Sequence, residues 1–168
     1  MKTRSNYLQF VCFVLILVFC ISVLPGCVPK KRNIDSADVN ATFEEDIDDL
    51  QVVADYLCDF DYDYVIIEDS KGTMIVDGGE KVSIDNDEIK QTIKDLLNKG
   101  YRCLSKNYDT IEFDRWDKSF DMEFQAGFAF VYDGSEDLDI SFVVHQEPLS
   151  KDNWYYYEAN YNEYRLTH

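Results

Sequence analysis

The sequence predicts an α+β fold, a mainly antiparallel sheet of about seven strands with two amphipathic helices on one face. Three observations lead there. Apolar residues recur at helical spacing most clearly in two stretches, near 43–59 and 84–100. Elsewhere short apolar runs alternate with polar residues and are separated by Asp, Asn and Gly. Apart from the second helix, no helical pattern lies between consecutive strands, so the strands should pair as antiparallel neighbours. With 168 residues and 46% apolar content, the chain suits one domain and is too apolar for a disordered acidic tail.

In chain order, Thr42 and Glu45 have the spacing of a capping box, and Phe43, Ile47, Leu50, Ala54 and Leu57 mark the buried stripe of a helix from about Phe43 to Asp59. Asp46, Asp48, Asp49 and Asp55 fall on the opposite, solvent side. Tyr64–Glu68, Thr73–Val76 and Lys81–Ile84 read as strands, joined at Asp69-Ser70-Lys71-Gly72 and Asp77-Gly78-Gly79. The second helix has Asp85 as cap with Glu88 three residues on. Ile84 and Ile89 form its staple, Ile93, Leu96 and Leu97 its stripe, and Gly100 its stop. Tyr101–Lys106 and Thr110–Trp116 form a hairpin about Asn107. Phe124, Ala126, Phe128, Phe130 and Tyr132 then share one side of a strand, Asp133-Gly134-Ser135 turns the chain, and Leu138, Ile140, Phe142 and Val144 share one side of the next. The segment Trp154–Tyr164 is ambiguous. Trp154, Tyr157, Tyr161 and Tyr164 keep helical spacing behind Ser150, whereas aromatic residues favour strands, and a short helix is the reading adopted.

Ahead of this domain, Lys2 and Arg4 precede an apolar run from Leu8 to Leu24 that ends in Leu24-Pro25-Gly26-Cys27. A cationic head and an apolar middle make a signal peptide. Leu24, Gly26 and Cys27 resemble the lipobox of bacterial lipoproteins, and the chain is similar to small lipoproteins of Gram-positive bacteria. Pro25 departs from the small or β-branched residue usual at its place. The resemblance implies residues 1–26 as a leader removed by signal peptidase II and acylation of the Cys27 thiol. It also implies anchorage in the lipid bilayer on the extracytoplasmic face of the cell membrane. An uncleaved transmembrane helix is the alternative, since the run is at the short edge of spanning length and Lys30, Lys31 and Arg32 outnumber the charges before it. Residues 27–40 would be a lipidated cysteine and polar tether, and 41–168 the α+β domain. The tether's basic triplet can meet anionic head groups that repel the acidic domain.

The 33 acidic residues against 16 basic ones give a net charge of −17, which argues against nucleic acid as a partner. Loss of Lys2 and Arg4 with the leader makes the mature chain more negative still. Histidine catalysis has little material, because only His145 and His168 exist. No nucleophile elbow, zinc-protease pair or phosphate-binding glycine loop occurs. Asp59, Asp61 and Asp63 alternate as calcium loops begin, but Tyr64 and Ser70 stand where such a loop needs Gly and Glu. Asp133, Ser135, Asp137 and Asp139 fail likewise, so no metal and no cofactor is expected. Among so many carboxylates some pair will be near by chance, so composition nominates no glycosidase dyad.

Cys12 and Cys20 fall in the leader. Cys58 and Cys103 remain, and outside the cytoplasm they could form a disulfide or stay as buried thiols. Aromatic residues concentrate late in the chain. Trp116, Trp154, Tyr157, Tyr161 and Tyr164 could form a binding surface, or pack the edges of a small sheet. The expectation is a non-catalytic acidic domain that binds a protein or peptide partner. The alternative is binding or hydrolysis of cell-wall glycan, with Trp116 or Trp154 as platforms.

Overall fold

The computed structural model describes residues 34–67, 73–116, 124–135 and 138–167. The leader, the first half of the tether (residues 27–33, with Cys27) and the turn at Asp69-Ser70-Lys71-Gly72 lie outside the described residues. From Asp35 onward the chain belongs to one compact α+β unit, whose described residues form a single eight-stranded antiparallel sheet and three α-helices.

The first helix, α1, spans Ser36–Cys58 and starts well before the expected Phe43. Asp35 caps it, accepting the Ala37 N–H at 2.9 Å, and Val39 is buried one turn before Phe43. The end of the polar segment is thus helix, not tether, and Thr42 lies inside the helix. The buried stripe runs Val39, Phe43, Asp46, Leu50, Val53, Ala54 and Leu57. Asp46 sits on it rather than on the solvent side, while Ile47 is half-buried.

Strands β1 (Tyr64–Ile67), β2 (Thr73–Val76) and β3 (Lys81–Ser83) follow as a meander. Helix α2 then spans Asp87–Asn98. Its cap is Asn86 rather than Asp85, with Oδ1 accepting from the Glu88 and Ile89 N–H groups at 2.9 and 3.2 Å. Its stop is Gly100, at φ 103°, where Tyr101 N–H bonds Leu96 O at 3.1 Å and Gly100 N–H bonds Leu97 O at 3.2 Å. This paired closure needs a left-handed residue, hence glycine.

The hairpin β4 (Cys103–Asn107) and β5 (Thr110–Asp114) turns at Tyr108, and β6 (Phe124–Val131) pairs with β5. Leu138 to Phe142 is not a strand. Instead β7 spans Val143–Pro148 and β8 spans Trp154–Asn160, followed by the short helix α3 at Tyr161–Thr167. The aromatic segment expected to be helical is mostly strand, because β8 lies between β6 and β7, where alternate side chains enter opposite faces. Trp154 and Tyr156 point with the α1 face and Tyr157 and Ala159 with the other.

The strand order is β3-β2-β1-β4-β5-β6-β8-β7. Both β6 and β7 are antiparallel to β8, so they run parallel to each other, and the chain between them must travel back along the sheet. It does so over the face opposite α1. Leu138 and Ile140 pack there on Ala129, Tyr157 and Ala159. Asn107 Nδ2 donates to Asp139 O at 2.6 Å, and Asp139 N–H donates to Thr110 Oγ1 at 3.1 Å. On the other face Phe43 of α1 meets Phe128 at 5.3 Å and Trp154 at 5.5 Å between ring centroids, and α2 packs beside α1.

Candidate functional site

The crossing segment leaves a cleft of about 500 Å³ beside it on the helix-free face. Its floor comes from the outward side of the central strands, with Glu112 of β5 and Gln125 of β6, and Asn107 at the end of β4. Ile140, Ser141 and Phe142 of the crossing segment form one wall, and Ala159, Asn160 and Tyr161 the other. None of these described lining residues is basic. The rim is aromatic: Phe142 meets Tyr161 edge-on at 5.0 Å and Tyr164 at 5.6 Å. Phe142 holds a left-handed backbone, φ 63°, and its carbonyl accepts Asn160 N–H at 2.9 Å, which keeps the ring over the mouth.

Strand alternation sets the chemistry of the floor. Ile111 and Phe113 enter the core, so Thr110, Glu112 and Asp114 face the other way. Asp114 is buried, accepts the Tyr157 hydroxyl proton through Oδ1, and receives Gln125 Nε2 at 3.5 Å on Oδ2. The Tyr157 hydroxyl is held well above its ordinary pKa by burial first, then by Asp114 and Glu112. Glu112 is partly buried. Loss of solvent, followed by the nearby charges of Asp114 and Asp139, pushes its carboxyl up to about 8. At neutral pH this floor therefore pairs a neutral Glu112 with a hydrogen-bonded Asp114.

The other polar cluster is structural. Asp46 receives the Tyr101 hydroxyl at 2.9 Å and Arg115 Nη1 at 3.1 Å on Oδ2, with Lys99 Nζ 2.9 Å from Oδ1. Lys99 also holds Asp49 at 2.8 Å, and the Arg115 guanidinium lies over the Tyr101 ring at 4.8 Å. Those hydrogen bonds to Asp46 and Asp49 raise the Lys99 pKa. The cluster ties α1 to the end of α2 and to the residues after β5.

Of the aromatic residues expected at a surface, Trp154 and Tyr157 are buried, at 1% and 0% exposure, and therefore form core. Trp116 is half-buried, edge-on to Phe128 and Tyr156, with the Arg115 guanidinium 5.8 Å from its ring centroid. Tyr161 is exposed and Tyr164 half-buried, both at the cleft rim. No disulfide joins Cys58 and Cys103. Cys58 ends α1, where burial and then Asp55 push its thiol up to about 11, while Cys103 faces the helix-free side, paired with Asp114. The sheet stands between them.

His145 is exposed on edge strand β7, 3.7 Å from Glu147 and edge-on to the Tyr156 ring at 6.1 Å. Among the described residues no three His, Cys, Asp or Glu side chains are grouped to hold a metal ion, and no helix is long and apolar enough to cross a membrane. Sequence reasoning missed Glu112, Asp114 and Gln125. Their signal was present: carboxylates alternating with Ile111 and Phe113 mark a strand with one polar face. Compared with protein families, curated proteins and solved structures, the chain gives no match.

Proposed function

We propose that the protein is a lipid-anchored, extracytoplasmic, non-catalytic domain that binds a protein or peptide partner of opposite charge. The observation that carries this reading is the cleft on the helix-free face, floored by Glu112 and with no basic residue among its described lining residues, in a chain of net charge −17. Opposite charge accelerates encounter and orients the partner, and the effect is strongest at low salt. The lipobox-like Leu24-Pro25-Gly26-Cys27 supports the anchor, which would hold the domain at the outer leaflet.

The glycan alternative rests on Trp116 and Trp154 as stacking platforms. With Trp154 in the core and Trp116 packed edge-on under Arg115, neither residue supports it.

Two measurements test the proposal. Metabolic labelling with palmitate should tag the wild-type protein and not Cys27→Ser; equal labelling of both overturns the anchor. Capture of a folded basic protein, lysozyme, on the immobilised domain should weaken at least tenfold between low and physiological salt. Capture that ignores salt overturns the charge-directed partner.

A further inference from the structure

We propose that the cleft on the helix-free face is the receptor for a single lysine or arginine side chain of the partner, with Glu112 as the acceptor of its charged head. The inference rests on the partner reading above and names what that partner presents.

The hydrogen-bonding capacity of the lining supports it. Asn107 already donates to Asp139 O at 2.6 Å, and Asn160 Oδ1 already accepts Glu163 N–H at 3.1 Å. Gln125 leans on Asp114 at 3.5 Å. Each of these amides thus has one group already engaged within the fold. The Glu112 carboxyl makes no hydrogen bond within the described structure and faces the cleft, where its oxygens are open to an entering donor. A carboxyl so placed is free to pair with a donor that fills the space beside it.

The surroundings select for positive charge. Among the described residues the charges that act on Glu112 are those of Asp114 on the same strand and Asp139 on the crossing segment, both acidic, and Glu112 in turn acts on Tyr157 of β8. Phe142 and Tyr161 form an aromatic entrance, 43% and 44% exposed, against which the aliphatic stem of lysine or arginine can lie and a cation can gain from the ring faces. About 500 Å³ is ample for one such side chain.

Binding should be coupled to a proton. A carboxyl held at about 8 is mostly protonated at pH 7; an arriving ammonium or guanidinium favours its charged form, so the proton leaves to solvent as the ion pair forms.

The test uses hexalysine and the full domain, with ε-acetylated hexalysine as the neutral control. Glu112→Gln keeps the shape of the protonated acid, and Asp38→Asn removes one charge from exposed surface on α1. Hexalysine should bind the wild type and Asp38→Asn alike within twofold, bind Glu112→Gln about tenfold more weakly, and leave the acetylated peptide unbound. Calorimetry at pH 7 in buffers of different ionisation enthalpy should show release of close to one proton for the wild type and none for Glu112→Gln. Equal affinity in all three proteins, or binding without proton release, overturns the cleft as receptor and leaves the salt-sensitive partner reading intact. Failure of hexalysine to bind the wild type also overturns the receptor. Lysozyme capture then decides the broader reading by itself.

Discussion

Asp46 shows how one side chain can carry an energetic load out of proportion to its size. At 2% exposure it is a buried carboxylate whose hydrogen bonds and ion pairs reach Tyr101, Arg115 and Lys99, so three elements depend on it. Removing one member of such a group leaves the others desolvated and unpaired, and Asp46→Ala should cost roughly 3 kcal/mol in urea unfolding. Asp48→Ala, on the exposed side of the same helix, should change stability by less than about 0.5 kcal/mol. Glu112 carries the opposite kind of load. Its folded value of about 8 lies above the ordinary 4.5, so below pH 4.5 both folded and unfolded chains hold the proton and Glu112 costs nothing. Between 4.5 and 8 only the folded chain holds it, and its contribution to stability falls by up to about 1.4 kcal/mol per pH unit. Glu112→Gln should therefore match the wild type at pH 4 and unfold at higher urea than the wild type at pH 8, the gap opening between those values.

Among the elements, β6 lies between β5 and β8, and its closeness to β5 is set by a glycine. A Cβ on Gly127 would lie 2.1 Å from Phe113 O, a backbone atom that cannot rotate away. Gly127→Ala should push β5 from β6 at cost of roughly 1–3 kcal/mol, with faster amide exchange at Asp114 and Arg115. The same region shows which elements the sequence makes legible. Helix α2 was readable nearly to the residue, because staple, stripe and Gly100 stop agree and all act locally. Strand β8 was not, since Trp154, Tyr157, Tyr161 and Tyr164 satisfy helical spacing. Only pairing on both sides, with β6 and β7, decides for a strand, and that pairing is not a local property. Leu138 and Ile140 alternate as a strand would, but they cover Ala129, Tyr157 and Ala159 from above without joining the ladder. Asp46 escaped for a related reason: three residues after Phe43 and four before Leu50, it occupies a core position of α1 that only the distant Arg115 and Tyr101 make tolerable. The cleft was partly visible, in the polar alternation of β5, but its other wall comes from a crossing segment whose path follows from strand order alone.

At the scale of the whole molecule, the excess of negative charge acts on folding as well as on encounter. The exposed side of α1 alone carries Asp38, Glu44, Glu45, Asp48 and Asp55, and the described ion pairs are few beside the 33 acidic residues of the chain. Compaction brings these like charges closer than they are in the unfolded chain, so repulsion opposes folding, and counterions relieve it at separations beyond roughly 8–10 Å near physiological ionic strength. The thermal midpoint should accordingly rise when salt increases from 10 to 150 mM, by a few degrees if the relief is on the order of 1 kcal/mol. The Asp46 cluster works against this trend, since salt weakens the attraction of Lys99 for Asp49 at the surface, but its buried bonds to Tyr101 and Arg115 are little screened. Salt should therefore stabilise the fold over the same range in which it weakens capture of a basic protein. A midpoint that falls with salt would mean that attractive pairs outweigh repulsion at the surface. The unbalanced charge would then not be what opposes folding.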